Sequence, residues 1–106
     1  MIYNILANIS FTSLSERKLS IKNGYKPAFK LENRKSFNSG IINLKDRDEL
    51  FPGESSDAII SFFSDEPFFN LSINSKFEFY EGRYIIGYGV IIEFIGWRKP
   101  GDLSDF

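Results

Sequence analysis

The sequence of 106 residues contains no cysteine and no histidine. Without cysteine the chain cannot form disulfide bonds or thiolate metal sites. Without histidine it lacks the side chain that most often acts as a general base and most often binds zinc or copper. Because folding cannot supply a missing imidazole or thiol, we expect a protein that is not an enzyme and that uses no metal or other cofactor.

Long apolar segments are also missing from the sequence. No apolar run approaches the ~20 residues that a membrane-spanning helix needs. The first residues lack the charged region, the apolar region and the cleavage site of a secretory signal. We therefore predict a cytoplasmic protein that has no membrane partner.

Neither sign of charge is in large excess, because 13 Lys and Arg residues oppose 14 Asp and Glu residues. The charges are nevertheless unevenly placed, with a net charge of +4 over residues 1–53 and −5 over residues 54–106. Residues 17–35 contain seven basic residues and one acidic residue, Glu32. Such a segment is either a solvated loop with an edge strand, which lysines protect from aggregation, or a patch that attracts an anionic partner.

Aromatic residues are abundant, with 12 Phe, 5 Tyr and 1 Trp. Aromatic and β-branched residues favour strands, and residues 5–12 alternate in the manner of a half-buried strand. Similar strand signals cover residues 29–32, 41–44, 58–63, 77–81 and 84–95, and no segment shows a sustained helical period. About six strands separated by turns predict an all-β domain, either a sandwich or a closed barrel. We place this single domain at residues 1–98 and predict a flexible tail at residues 99–106.

The segments between these strands are predicted to be loops and turns. Residues 13–23 are polar and basic, which predicts a long loop, and residues 46–49 form a charged loop that ends in the turn at residues 51–54. Gly87 and Gly89 lie two residues apart in the longest predicted strand, so both are on the same face of it. Glycine inside a strand indicates a bulge, a bend or the close approach of another backbone. We therefore expect this strand to curl around a barrel corner.

Four local motifs follow one another along the chain. Residues 24–29 read Gly-Tyr-Lys-Pro-Ala-Phe, residues 39–42 read Ser-Gly-Ile-Ile, residues 50–54 read Leu-Phe-Pro-Gly-Glu, and residues 81–91 read Glu-Gly-Arg-Tyr-Ile-Ile-Gly-Tyr-Gly-Val-Ile. In this order and spacing they resemble the third domain of bacterial elongation factor Tu. The matching segments there are Gly-Tyr-Arg-Pro-Gln-Phe, Thr-Gly-x-Ile, Met-Pro-Gly-Asp, and Glu-Gly-Gly-Arg before a Gly-x-Gly-Val-Val strand. The resemblance covers roughly residues 3–95.

The resemblance implies a six-stranded antiparallel β-barrel, present as a free-standing single-domain protein. The sequence contains no Gly-x-x-x-x-Gly-Lys-[Ser/Thr] phosphate loop, so we do not expect the chain to bind GTP as the intact factor does. In the family this domain binds the T-stem of aminoacyl-tRNA and docks on the GTPase domain and on the exchange factor.

The resemblance also implies six candidate residues for binding RNA or another partner. Three lie at the final hairpin, where the family meets the tRNA backbone. One keeps the hydroxyl of a threonine that precedes a turn glycine, and two lie about where the family has an Arg-His pair facing tRNA. In chain order the six are Arg17, Lys18, Ser39, Glu81, Gly82 and Arg83.

Two departures from the family pattern affect this tRNA site. Glu32 and Tyr84 stand where the family has arginine, although Arg83 lies beside Tyr84. Replacing arginine by glutamate near a phosphate turns an attraction into a repulsion. We therefore expect the chain to preserve the fold more faithfully than the tRNA site.

Three functions are consistent with these observations. The first is a non-catalytic module that binds a protein partner, as a translation-factor mimic, a regulator or a toxin-immunity protein. The alternative is an RNA-binding module that contacts tRNA-like stems. The third is a structural subunit that assembles through an edge strand or an exposed aromatic patch. We prefer the first, and the sequence leaves the oligomeric state open.

Overall fold

The computed structural model describes residues 1–12, 19–32 and 34–102, which form eight strands and one short 3-10 helix. No helix in this part of the chain is both long enough and apolar enough to cross a membrane. The strands are β1 (Ile2–Phe11), β2 (Ile21–Lys22), β3 (Ala28–Leu31), β4 (Asn38–Leu44), β5 (Glu49–Leu50), β6 (Ser55–Phe62), β7 (Lys76–Glu81) and β8 (Tyr84–Arg98), and the 3-10 helix is Glu66–Phe68.

Six of the strands form a closed barrel in the order β1-β6-β4-β3-β7-β8, and β8 closes it by pairing with β1. Every neighbouring pair in the barrel is antiparallel. This arrangement confirms the predicted all-β class and the predicted six-stranded antiparallel barrel. The two remaining strands, β2 and β5, pair with each other as a small separate sheet.

The alternation of residues along β1 determines which side chains face the barrel interior. Ile5, Ala7, Ile9 and Phe11 are buried, whereas Asn8 between them is exposed. Because successive side chains of a strand point to opposite faces, apolar residues at every second position build one continuous inner surface. Burying a large side chain of this kind contributes roughly 1.5–3 kcal/mol.

Phenylalanine rings fill much of the remaining interior. The ring of Phe29 on β3 lies 5.2 Å from that of Phe62, 5.8 Å from that of Phe77 and 5.9 Å from that of Phe79, measured between centroids. All four rings are buried, and tilted or edge-to-face pairs at this spacing add to the energy of burial. Phe29, Phe77 and Phe79 therefore belong to the core.

Two glycines of β8 leave room for two of these rings. Gly87 pairs with Phe79 and Gly89 pairs with Phe77 across the β7–β8 ladder. A side chain on either glycine would overlap the ring of its partner. The group that approaches each glycine is therefore an aromatic ring, and not another backbone.

The predicted loops at residues 13–23 and 46–49 were partly wrong, because each segment contributes to a short strand. Ile21 of β2 pairs with Leu50 of β5, and both side chains are fully buried. A strand of two residues is too short to show alternation in sequence. Burial of one apolar pair explains why the backbone is extended here.

The 3-10 helix closes one end of the barrel. Its Phe68 is buried, with its ring centroid 4.8 Å from that of Phe62 and 5.3 Å from that of Tyr3. Pro67 lies in the first turn of this helix, where the backbone N–H that proline lacks would have no helical partner. The interior is therefore sealed at this end by an aromatic side chain.

Candidate binding groove

An open groove of about 640 Å³ lies on the outer face of the barrel wall. It crosses four neighbouring strands, β3, β7, β8 and β1, and is flanked by Glu32, Arg34 and Lys35, which follow β3 in the sequence. Outward-facing side chains of the strands form most of its surface, and the buried residues Leu31 and Phe77 border it from the core. The register of the barrel therefore fixes the positions of the lining residues.

The strand register sets a first row of side chains across the groove. Ser10 of β1 pairs with Tyr88 of β8, Tyr88 pairs with Glu78 of β7, and Glu78 pairs with Lys30 of β3. Neighbouring members of such a row lie ~5 Å apart, which is the spacing of strands in a sheet. Residues that are up to 78 positions apart in sequence therefore share one surface.

A second row runs beside the first. Asn8 pairs with Val90, and Val90 pairs with Lys76. Glu32 extends this row, because its N–H donates a hydrogen bond of 3.0 Å to the carbonyl of Lys76 and its carboxylate accepts one of 3.4 Å from the N–H of Lys76. These two hydrogen bonds, one through the backbone and one through the side chain of Glu32, attach Glu32 to β7.

Tyr88 is an exposed aromatic side chain in the groove, and 49% of its surface is accessible to solvent. Tyr80 lies near it on β7 and donates a hydrogen bond of 3.0 Å from its hydroxyl to Glu78. The ring of Tyr80 also lies edge-on to that of Phe37, with centroids 5.0 Å apart. Burial raises the pKa of Tyr80, and the hydrogen bond and charge of Glu78 and the charge of Tyr88 raise it further.

The charged side chains of the groove are predominantly basic. Lys30, Arg34, Lys35 and Lys76 line it, together with the acidic residues Glu32 and Glu78. Arg34 forms an ion pair of 3.5 Å with a carboxylate outside the groove, that of Glu66 on the 3-10 helix. Among the residues that the structure describes, the three lysines form no ion pair. The groove therefore presents unpaired positive charge to solvent.

The candidate residues from the family resemblance lie elsewhere. Arg17 and Lys18 fall outside the described residues. Gly82 occupies the β7–β8 turn with a φ of +60°, a conformation that favours glycine. Beside it, the Glu81 carboxylate accepts a hydrogen bond of 2.5 Å from the hydroxyl of Tyr25. The structure thus joins two of the resembling motifs, residues 24–29 and the final hairpin.

Ser39 and Arg83 lie in exposed positions near this hairpin. Ser39 of β4 pairs with Ala28, and Ala28 pairs on its other side with Tyr80. Ser39 is therefore two strand spacings, ~10 Å, from Tyr80. The guanidinium of Arg83 lies 5.5 Å from the ring centroid of Tyr84. Ser39 and Arg83 therefore lie in the same region of the barrel, but each has a different neighbour.

The two departures from the family pattern occupy different places. Tyr84 lies in the hairpin region and is exposed. Glu32 lies in the groove beside Lys76, four positions along β7 from Tyr80, which corresponds to ~13 Å. The glutamate therefore adds negative charge to the groove, at a distance from the hairpin.

Sequence reasoning missed the groove as a surface, although it noted part of its charge. Lys30, Arg34 and Lys35 belong to the basic segment at residues 17–35. Tyr88 and Val90 were predicted only to lie in the strand at residues 84–95. The alternation along β7 and β8 indicates which side chains face outward, but only the register reveals that they are neighbours.

The described residues contain no group of three or more acidic side chains that could hold a metal ion. No protein-family model matches this chain, and a search of curated proteins finds no match. The barrel is a finding of the structure, whereas the likeness to the third domain of elongation factor Tu stays a prediction that depends on the four motifs.

Proposed function

We propose that this chain is a non-catalytic module that binds a protein partner through the groove on β1, β3, β7 and β8. The observation that carries the proposal is the half-exposed ring of Tyr88 in the groove, with Val90 beside it and charged side chains around both. Interfaces typically combine such an aromatic anchor with a polar rim. Concave surfaces with a few convergent polar groups are also the usual places for binding.

The composition of the groove supports binding rather than catalysis. It holds no histidine, cysteine or metal ligand cluster, and its two carboxylates already accept hydrogen bonds from Tyr80 and from the backbone of Lys76. General acid–base catalysis requires a group that can reach a substrate proton. Within this proposal, the resemblance to a translation-factor domain favours a mimic, a regulator or a toxin-immunity protein as the biological setting.

Affinity capture from lysate with matched variants tests the proposal. The wild-type protein is compared with a Tyr88→Ser/Val90→Ser variant and with a Phe63→Ser control, because Phe63 is 69% exposed and does not line the groove. We expect proteins that are retained by the wild type and by the control but lost from the groove variant. Capture that is equal for all three variants would contradict the proposal.

A second candidate function is an RNA-binding module that contacts tRNA-like stems. It is favoured by the exposed Ser39, Gly82 and Arg83 around the final hairpin, since hydroxyl, backbone and guanidinium groups all bind phosphate. Titration of tRNA at low and at moderate salt tests it, because binding to phosphates weakens as salt rises. Absence of binding at low salt would exclude this function, and binding that is indifferent to Arg17→Ala/Lys18→Ala would place it at other residues.

A further inference from the structure

The carboxylates and ammonium groups of the groove differ in whether they have a partner within the described part of the protein. Glu78 accepts a hydrogen bond from Tyr80, and Glu32 accepts one from the backbone N–H of Lys76. Both carboxylates therefore already have a hydrogen-bond donor within the protein. The ammonium groups of Lys30, Lys35 and Lys76 have no ion-pair partner in the described parts of the chain. Negative charge on a ligand would complete these three interactions.

The surface between these lysines suits side chains better than a phosphate backbone. Tyr88 and Val90 supply apolar area within the groove. Glu32 and Glu78 lie among the lysines, so a strand of regularly spaced phosphates would bring like charges together. A peptide can place carboxylates at the lysines and apolar side chains on Tyr88, because its side chains vary from one position to the next.

The dimensions of the groove suit an extended segment of chain. Four neighbouring strands span ~14 Å across the wall, and ~4 extended residues cover that distance. Alternate side chains of an extended peptide lie ~7 Å apart on one face. Side chains at every second position of the peptide therefore face the groove, and those between them face away from it.

We infer that the groove binds an extended acidic segment of the partner protein, whose groove-facing side chains include both Asp or Glu and apolar residues. Lys30, Lys35 and Lys76 bind the carboxylates, and Tyr88 and Val90 bind the apolar side chains between them. This inference rests on the proposed function and adds to it the chemical class of the ligand.

Selection from a displayed library of random peptides of about eight residues, longer than the groove, tests the inference. Four immobilised proteins are used: the wild type, Lys30→Glu/Lys76→Glu, Tyr88→Ala, and Lys45→Glu/Lys99→Glu. The last variant is a control with the same change in net charge at two lysines that do not line the groove. Thermal unfolding of each variant is measured first, so that only folded proteins enter the comparison.

We expect peptides enriched in Asp and Glu on the wild type and on the charge control. The same peptides should bind at least about tenfold more weakly to Lys30→Glu/Lys76→Glu and to Tyr88→Ala, and more weakly as salt rises. Neutral or basic peptides that still require Tyr88 would overturn the acidic ligand and leave the proposed function standing. Selected peptides that bind both groove variants as tightly as the wild type, or a selection that enriches no peptide, would contradict both the inference and the proposed function. Displacement of the peptides by single-stranded RNA would assign the groove to nucleic acid and overturn the inference.

Discussion

The ring of Phe79 lies directly against the backbone of its strand partner Gly87. A Cβ atom built on Gly87 would lie 1.9 Å from Cζ of that ring, and one built on Gly89 would lie 2.1 Å from Cζ of Phe77. Atoms at such distances overlap, and both rings belong to side chains that are packed in the core. The two glycines of β8 are therefore required by the packing of the barrel interior.

We predict that Gly87→Ala lowers the free energy of unfolding by about 3 kcal/mol, because the added methyl group overpacks the core. Urea-induced unfolding measures this change. Gly24→Ala is the matched control: Gly24 has a φ of +90° and nothing within 4 Å of a built Cβ, so its cost of about 1 kcal/mol reflects backbone strain alone.

The combination Gly87→Ala/Phe79→Leu tests the cause of that loss. Leucine in place of Phe79 removes the ring and makes room for the methyl group. The double variant should therefore lose less unfolding free energy than the two single variants lose in sum. Equal losses at Gly87 and Gly24, or strict additivity with Phe79→Leu, would contradict the packing account.

The buried pair Asn4 and Ser61 gives a second prediction. The hydroxyl of Ser61 donates a hydrogen bond of 2.6 Å to Asn4 Oδ1, and Asn4 Nδ2 donates to the carbonyls of Ile2 and Gly96. Asn4→Leu removes all three hydrogen bonds and leaves buried groups unpaired, so we expect a loss of about 2 kcal/mol in the free energy of unfolding. Asn8→Leu on the exposed part of the same strand should change it by less than about 0.5 kcal/mol.

Replacing both members of this pair separates the hydrogen bond from the packing. In Asn4→Leu/Ser61→Ala the orphaned hydroxyl is absent, and the loss of stability should be smaller than the sum of the single losses. If Asn4→Leu proved neutral, the buried network would contribute nothing to stability and the prediction would be wrong.

The dependence of stability on alkaline pH gives a third prediction, centred on Tyr3. Burial, and then the negative charge of Asp65, raise the pKa of Tyr3 above its usual value of 10.0. The folded protein therefore keeps this proton at a pH where the unfolded chain loses it. The corresponding stability is fully present below pH 10.0 and is lost as the pH rises from there through the folded pKa.

Unfolding measured in denaturant at several alkaline pH values tests this sign. Tyr3→Phe should make the decline in stability above the usual tyrosine pKa shallower, although the raised pKa of Tyr80 keeps part of the decline. Asp65→Asn should lower the pKa of Tyr3, which the absorbance of the phenolate reports. A steeper decline in Tyr3→Phe would contradict the account.

The sequence predicts those parts of the fold in which one residue type repeats along a strand. The alternation of Ile5, Ala7 and Ile9 identifies β1, and the paired glycines mark the constraint on β8. It does not predict β2 and β5, because each is only two residues long and contributes a single buried apolar residue, Ile21 or Leu50. Their extended backbone depends on a tertiary contact that local propensity does not contain.

The candidate site was likewise predictable from the sequence only in part. The basic residues Lys30, Arg34 and Lys35 were noted in the sequence as part of residues 17–35, whereas the contact of Tyr25 with Glu81 was not predicted. The groove was not predictable, since Ser10, Glu78 and Tyr88 become neighbours only through strand pairing and barrel closure. A surface built from distant residues requires the register, and composition alone does not supply it.

Site-specific photo-crosslinking tests the central claim, that the groove is the surface that binds a protein partner. A photoreactive phenylalanine analogue is placed at Tyr88 or, as a control, at Phe63, and the protein is irradiated in its native cells. The account predicts a covalent adduct with a protein from position 88 that is absent from position 63 and is lost when Lys30→Glu/Lys76→Glu is added. An adduct that forms from position 63 and not from position 88 would contradict it.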